Sequence, residues 1–161
     1  MPPTRPENGS GSIQRYRRPE SVLVLVHTLA GQVLLLQRVQ PDDFWQSVTG
    51  SLEPAESPHE AARRELLEET GLELDVHDCH CSHRFEIRPP WRDRYAPGVT
   101  HNLEYRFRVC LERPVEIRLD PAEHLKARWL EAEAAIELAS SWTNRAAIRE
   151  IALPLAGIRA T

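Results

Sequence analysis

Lysine is almost missing from this 161-residue chain: of its twenty basic side chains only Lys126 is a lysine. So one-sided a choice reflects codon composition more than chemistry, and it lowers the weight any single arginine can carry. Basic charge is not in excess either. Twenty Lys and Arg against 24 Asp and Glu give a net charge of −4, which argues against a protein whose main task is neutralising nucleic-acid phosphates. Long apolar runs are absent too. The longest, V-L-V-L-V from Val22 and V-L-L-L from Val33, are strand-sized and far short of a spanning helix, so no membrane segment is expected. The first dozen residues have no apolar middle of the kind a signal peptide needs. Residues 1–13 read as a flexible polar tail, 14–161 as a single domain, and the address as cytoplasmic. Cysteines are few: Cys79, Cys81 and Cys110 form an odd set that suits free thiols in a reducing compartment.

What is present suits a soluble globular domain. Apolar residues make up 41% and charged residues 27%, near the usual averages. A chain of this length buries about 70% of its unfolded surface. Two β-rich runs, from Ser21 and from Gln32, flank a turn at Gly31, and a third run, F-W-Q-S-V-T-G, follows them. Ser57, Pro58 and Glu60 then form a helix start with a capping box, and Gly71 a stop, which predicts a helix over Pro58–Thr70. Further short strands are expected near Glu73–Val76, Ser82–Arg88, Leu103–Leu111, Val115–Leu119 and Lys126–Leu130. Pro89, Pro90 and Pro97 place a loop between His77 and His101. Two helical stretches close the chain, E-A-E-A-A-I-E-L and W-T-N-R-A-A-I-R-E-I-A-L, the second behind Ser141. No repeat is visible. A mixed sheet packed between helices, an α/β fold, is the economical arrangement.

The predicted helix carries an electrostatic problem. Glu65, Glu68 and Glu69 fall within about 100° of its circumference and near its C-terminus. Like charges at these spacings repel, and the helix dipole there disfavours acids. Such a cluster calls for a counter-charge. A solvated helix face, softened by Arg64 pairing with Glu60 or Glu68, is the plain alternative.

Gly50, Glu56 and the run Arg64-Glu65-Leu66-Leu67-Glu68-Glu69-Thr70-Gly71-Leu72 stand at the spacing G-x5-E-x7-R-E-U-x-E-E-x-G-U, with U aliphatic. Every specified position matches, and the stretch resembles the Nudix box. The resemblance implies an α/β/α sandwich and metal-dependent hydrolysis of a nucleoside diphosphate linked to another group. It makes Glu65 and Glu69 the chief metal ligands and Glu68 a further ligand or the base. Arg64 is then held by Glu56 in a supporting ion pair. The cation implied is Mg²⁺, with Mn²⁺ as a substitute.

Stretches outside the box narrow this. R-R-P at Arg17, D-F-W-Q-S-V-T-G-S at Asp43, R-Y-A-P-G-V-T-H-N at Arg94, E-H-L-K-A-R-W-L at Glu123 and S-W-T-N-R at Ser141 resemble the dihydroneopterin triphosphate pyrophosphatase branch of that family. The resemblance implies release of pyrophosphate from 7,8-dihydroneopterin 3′-triphosphate, a small-molecule triphosphate. Arg17, Arg38, Thr49 and Ser141 become substrate contacts, and Glu123 an added metal ligand. Two other readings stand beside it: a broader pyrophosphatase acting on dATP or oxidised purine nucleotides, and a non-catalytic nucleotide-sensing module. Of the four tryptophans, Trp45 is the expected stacking partner for the pterin ring. The run H-D-C-H-C-S-H has zinc-ligand chemistry. In a straight strand, however, His77, Cys79, Cys81 and His83 would span about 20 Å, too far for one ion.

Overall fold

The computed structural model describes residues 16–158; the tail expected at 1–13 lies outside them. Seven strands form one mixed sheet. They are β1 (Glu20–Thr28), β2 (Val33–Arg38), β3 (Trp45–Gln46), β4 (Val48–Ser51), β5 (His77–Glu86), β6 (His101–Leu111) and β7 (His124–Leu130). Strand β1 runs parallel to β6 over its whole length, and the other pairings are antiparallel. The helices are α1 (Pro58–Thr70), α2 (Ala132–Leu138), α3 (Trp142–Ala147) and α4 (Leu153–Ile158), with a π-helical turn at Ile148–Ala152 joining the last two.

Alternation along β1 builds two cores, one on each face of the sheet. Val22, Val24 and Val26 pack with Leu34, Phe107 and Val109 against Ala61, Ala62 and Leu66 of α1. Leu23 and Leu25 pack on the other face with Leu35, Ala132, Ala135, Ala147 and Ile148. The expected α/β/α sandwich is the fold observed.

Helix α1 spans the predicted residues. The Ser57 hydroxyl accepts from Glu60 N at 3.2 Å and the Glu60 carboxylate from Ser57 N at 2.9 Å, a reciprocal cap. Gly71 ends the helix at φ 76°, where a Cβ would be strained. Ser57→Ala is expected to cost about 1 kcal/mol, read as a lower urea midpoint with unchanged slope.

Three expectations are corrected. The third run is two short strands, because at Ser47 the chain leaves β2 for β1; β3 pairs with β2, β4 with β1, and Ser47 N bonds Asn144 Oδ1. Glu73–Val76 and Val115–Leu119 are not strands. The second crosses the end of α1, where Arg118 N bonds Thr70 O and Ile117 and Leu119 pack on the core without a ladder. Nor is the H-D-C-H-C-S-H strand straight: the register of β5 against β6 shifts between Asp78 and Ser82, with His80 at φ 52°. Even so, among the described residues no three ligand atoms from this run lie within 4.8 Å of one another.

Candidate active site on the acidic helix

One face of α1 borders a cleft of about 1210 Å³, open at the end of the sheet where β4 leaves β1. It is larger than the roughly 300–1,000 Å³ usual for a small-ligand site. The Glu65 side chain lies against β4: a Cβ on Gly50 would stand 2.0 Å from Glu65 Cδ, so a side chain there would displace the Glu65 carboxylate.

Arg64 organises this end of the helix. Its Nε and Nη2 grip both oxygens of Glu56 at 2.7 and 2.9 Å. Nη2 also reaches Ser51 O at 3.1 Å, while Nη1 bonds Glu65 Oε1 at 2.7 Å and Glu68 Oε2 at 3.2 Å. All three guanidinium nitrogens are thereby engaged within the protein, and Arg64 positions carboxylates. Hydrogen bonding from Arg64 holds the Glu56 carboxyl below its usual range.

The next two carboxylates lack such full support. Glu69 is 3% exposed, and the hydrogen bond it accepts is from Thr49 N at 3.2 Å. Burial first, then the charges of Glu65 and Glu123, drive its carboxyl well above the usual value. Glu65 is pushed up to about 7, again chiefly by burial, with Arg64 opposing. Glu69, Glu123 and His124 each offer a ligand atom, all within 4.8 Å of one another. Both ring nitrogens of His124 are buried without a partner among the described residues. Burial and Arg38 hold this imidazole down to about 4, so it is neutral near pH 7 and free to donate a lone pair. Acids raised by burial and by neighbouring carboxylates, beside an unpartnered neutral imidazole, fit a divalent cation.

Facing the acids is a basic wall. Arg17, Arg38 and Arg94 line the cleft; Arg17 N is fixed to Arg94 O at 2.7 Å, and Arg38 stacks over Trp91 at 5.5 Å. Burial and the charges of Arg94 and Arg17 lower the Arg38 pKa, with Glu69 and Glu123 opposing. A basic wall opposite metal-ligand chemistry is what an anion of high charge requires.

The profile described as the NUDIX domain matches residues 17–151. The chain belongs to the Nudix family. It is 44% identical over 144 residues to the dihydroneopterin triphosphate diphosphatase of Escherichia coli K12, covering 86% of this chain and 95% of that protein. It is 40% identical to the Haemophilus influenzae protein of the same name, covering 86% and 90%. The solved E. coli dihydroneopterin triphosphate pyrophosphohydrolase superposes with a TM-score of 0.81 at 43% identity, over 86% of this chain and 98% of that one.

Within this Nudix domain the fold brings together the site residues expected from the sequence, Trp45 excepted. Arg17, Arg38, Thr49, Arg64, Glu65, Glu68, Glu69, Glu123 and Ser141 line the cleft, and Glu56 stands behind Arg64. Ser141 also caps α3, accepting from Asn144 N at 3.2 Å. Trp45 is the exception. It packs into the core beside α2 under Arg128, outside the cleft. The aromatic side chains at the cleft are Phe44, Trp91 and Trp142 among others. His124 and the buried Glu104 were not singled out from sequence. A signal existed for each: His124 adjoins Glu123, and Asn102, Glu104, Arg106 and Arg108 put polar groups at every second position of β6.

Proposed function

We propose that this Nudix hydrolase converts 7,8-dihydroneopterin 3′-triphosphate to its monophosphate and pyrophosphate in the cytoplasm, with Mg²⁺ as the cation. The observation that carries the reading is the nearly end-to-end match to two dihydroneopterin triphosphate diphosphatases at 44% and 40% identity. The cleft supports it, with three arginines opposite a cluster of buried acids. The unpaired Cys79, Cys81 and Cys110 suit a reducing compartment. The acidic balance of the chain suits a partner other than nucleic acid.

Glu65, Glu69, Glu123 and His124 would hold the cation. When bound, a divalent ion offsets phosphate charge and makes water more acidic. Arg17 and Arg38 bind and orient the triphosphate, Arg38 kept in place by its stacking on Trp91. Thr49 N fixes the Glu69 carboxylate, and Ser141 lies at the α3 end of the cleft. Glu68, with a side chain 55% exposed and tethered to Arg64, accepts the proton of the water that attacks the α-phosphorus. Arg64 Nη1 donates to both Glu65 and Glu68 and so bridges the two carboxylates.

The test compares dihydroneopterin triphosphate with dATP, 8-oxo-dGTP and the common nucleotides, counting pyrophosphate released in Mg²⁺. The pterin substrate is expected to give the highest kcat/KM, and in ¹⁸O-water the label is expected in the monophosphate. Preference for dATP would overturn the substrate, and label in pyrophosphate would overturn the site of attack.

A further inference from the structure

Glu104 lies in the same cleft yet has no part in the chemistry above. On β6 it pairs in register with Ser21 of β1, and it points to the sheet face opposite Phe107, away from α1 and toward α3. It is 6% exposed. Burial raises its carboxyl to about 7, with hydrogen bonding from Thr143 and the charge of Arg106 opposing. Among the described residues it makes no ion pair. Arg106, two positions on, gives Nη1 to Glu150 and pairs Nη2 with His83.

Two positions earlier on the same face, Asn102 donates Nδ2 to Ser21 Oγ at 2.7 Å. Its Oδ1 is buried without a partner among the described residues. A buried carboxylate, bonded by Thr143 but with lone pairs to spare, and an orphan amide oxygen thus stand on one strand face, both lining the cleft. Acceptors left over in a buried site call for a ligand that donates. A phosphate cannot be that ligand, since it would meet a carboxylate in a site of low dielectric. The phosphates belong with Arg17 and Arg38, and the uncharged ring belongs here. Trp142, 50% exposed and tilted against His83 at 5.4 Å, offers it a flat neighbour.

We propose that Glu104 reads the heterocycle: its two oxygens accept the paired N–H groups of a 2-amino-4-oxo pyrimidine edge, the edge that pterin and guanine share, and thereby exclude adenine. The inference rests on the cleft being a site for a triphosphate carrying such a ring. Pterin N3–H and its 2-amino group are two donors side by side, which match a carboxylate. Adenine offers a donor beside an acceptor, so one Glu104 oxygen would face a lone pair. Sites built around buried hydrogen-bonding groups reject such mismatches strongly. Asn102 Oδ1 takes a second hydrogen of the 2-amino group or a bridging water.

Glu104→Gln keeps the shape and turns one acceptor into a donor. The experiment measures kcat/KM for dihydroneopterin triphosphate, dGTP, dITP (which lacks the 2-amino group) and dATP, and the Kd of neopterin from its fluorescence. The wild type is expected to favour dGTP over dITP and to reject dATP. In Glu104→Gln, dihydroneopterin triphosphate and dGTP are expected to fall by about 10²-fold, dITP far less, and dATP to rise relative to dGTP. Neopterin binding is expected to weaken at least about tenfold.

A uniform fall on all four substrates would assign Glu104 a structural role and overturn the inference while leaving the proposed reaction standing. A wild type that takes dATP as readily as dGTP would overturn it without any variant. If the wild type ignores dihydroneopterin triphosphate but its dGTP-to-dITP ratio collapses in Glu104→Gln, the reaction is wrong and the ring reading stands. If no triphosphate is cleaved, the neopterin Kd decides: unchanged by the substitution, it sinks the inference.

Discussion

Glu69→Gln is expected to lower kcat by about 10²–10³-fold while making the metal-free protein more stable. The side chain is 3% exposed and accepts one backbone hydrogen bond, so without a cation its charge is poorly compensated. Glutamine keeps the shape and removes the charge. The same physics gives a pH dependence. Glu69 and Glu65 have folded pKa values above the unfolded one. The stability each contributes is therefore fully present below about pH 4.5 and is lost as pH rises through the folded value. For Glu65, raised to about 7, the loss is of order 3 kcal/mol. Glu104 has the same sign and lies outside the proposed ligand set. Urea midpoints measured with a chelator should thus fall between pH 4.5 and 7. Excess Mg²⁺ should restore most of the loss, and Glu69→Gln should flatten part of the slope. Full turnover in Glu69→Gln, or a chelated protein indifferent to pH, would refute the ligand assignment.

Arg64→Ala is expected to destabilise the fold by about 2–4 kcal/mol, toward the lower side of what breaking a buried ion pair costs because its side chain is 23% exposed. Removal strands Glu56 and Glu65 together. Turnover should fall by about 10–100-fold, as when a partner that orients a metal ligand is lost. Arg64→Lys should rescue little. One ammonium cannot span Glu56, Ser51, Glu65 and Glu68, which the guanidinium reaches from three nitrogens. Chemical denaturation and steady-state kinetics on both variants check this. Stability and kcat of Arg64→Lys equal to wild type would show that the fork geometry is immaterial.

Much of the fold could be read in the chain because its signals are local. The capping box at Ser57 and the left-handed stop at Gly71 act within a turn of the helix they bound, so α1 was predicted to its end residues. The unbroken apolar run of β1 is what a strand buried on both faces requires. Val115–Leu119 alternates as a strand would, but its partner is a helix end, and alternation shows which side chains are buried without showing what pairs with the backbone. Trp45 failed for a related reason. It lies on the same face of the sheet as Thr49, which pairs with Leu23, but it packs into the core beside α2 under Arg128 and does not line the cleft.

By itself, then, the sequence determined the acidic helix, its caps and the set of carboxylates that repel one another, because spacing along a helix fixes which side chains share a face. Only the tertiary structure decided that Arg64 is fully engaged by its neighbours, that His124 and Glu123 close on Glu69, and that Glu104 is buried in the cleft. Those facts depend on contacts between residues far apart in the chain, and the cost or benefit of a charge is set by the water and partners that packing leaves around it.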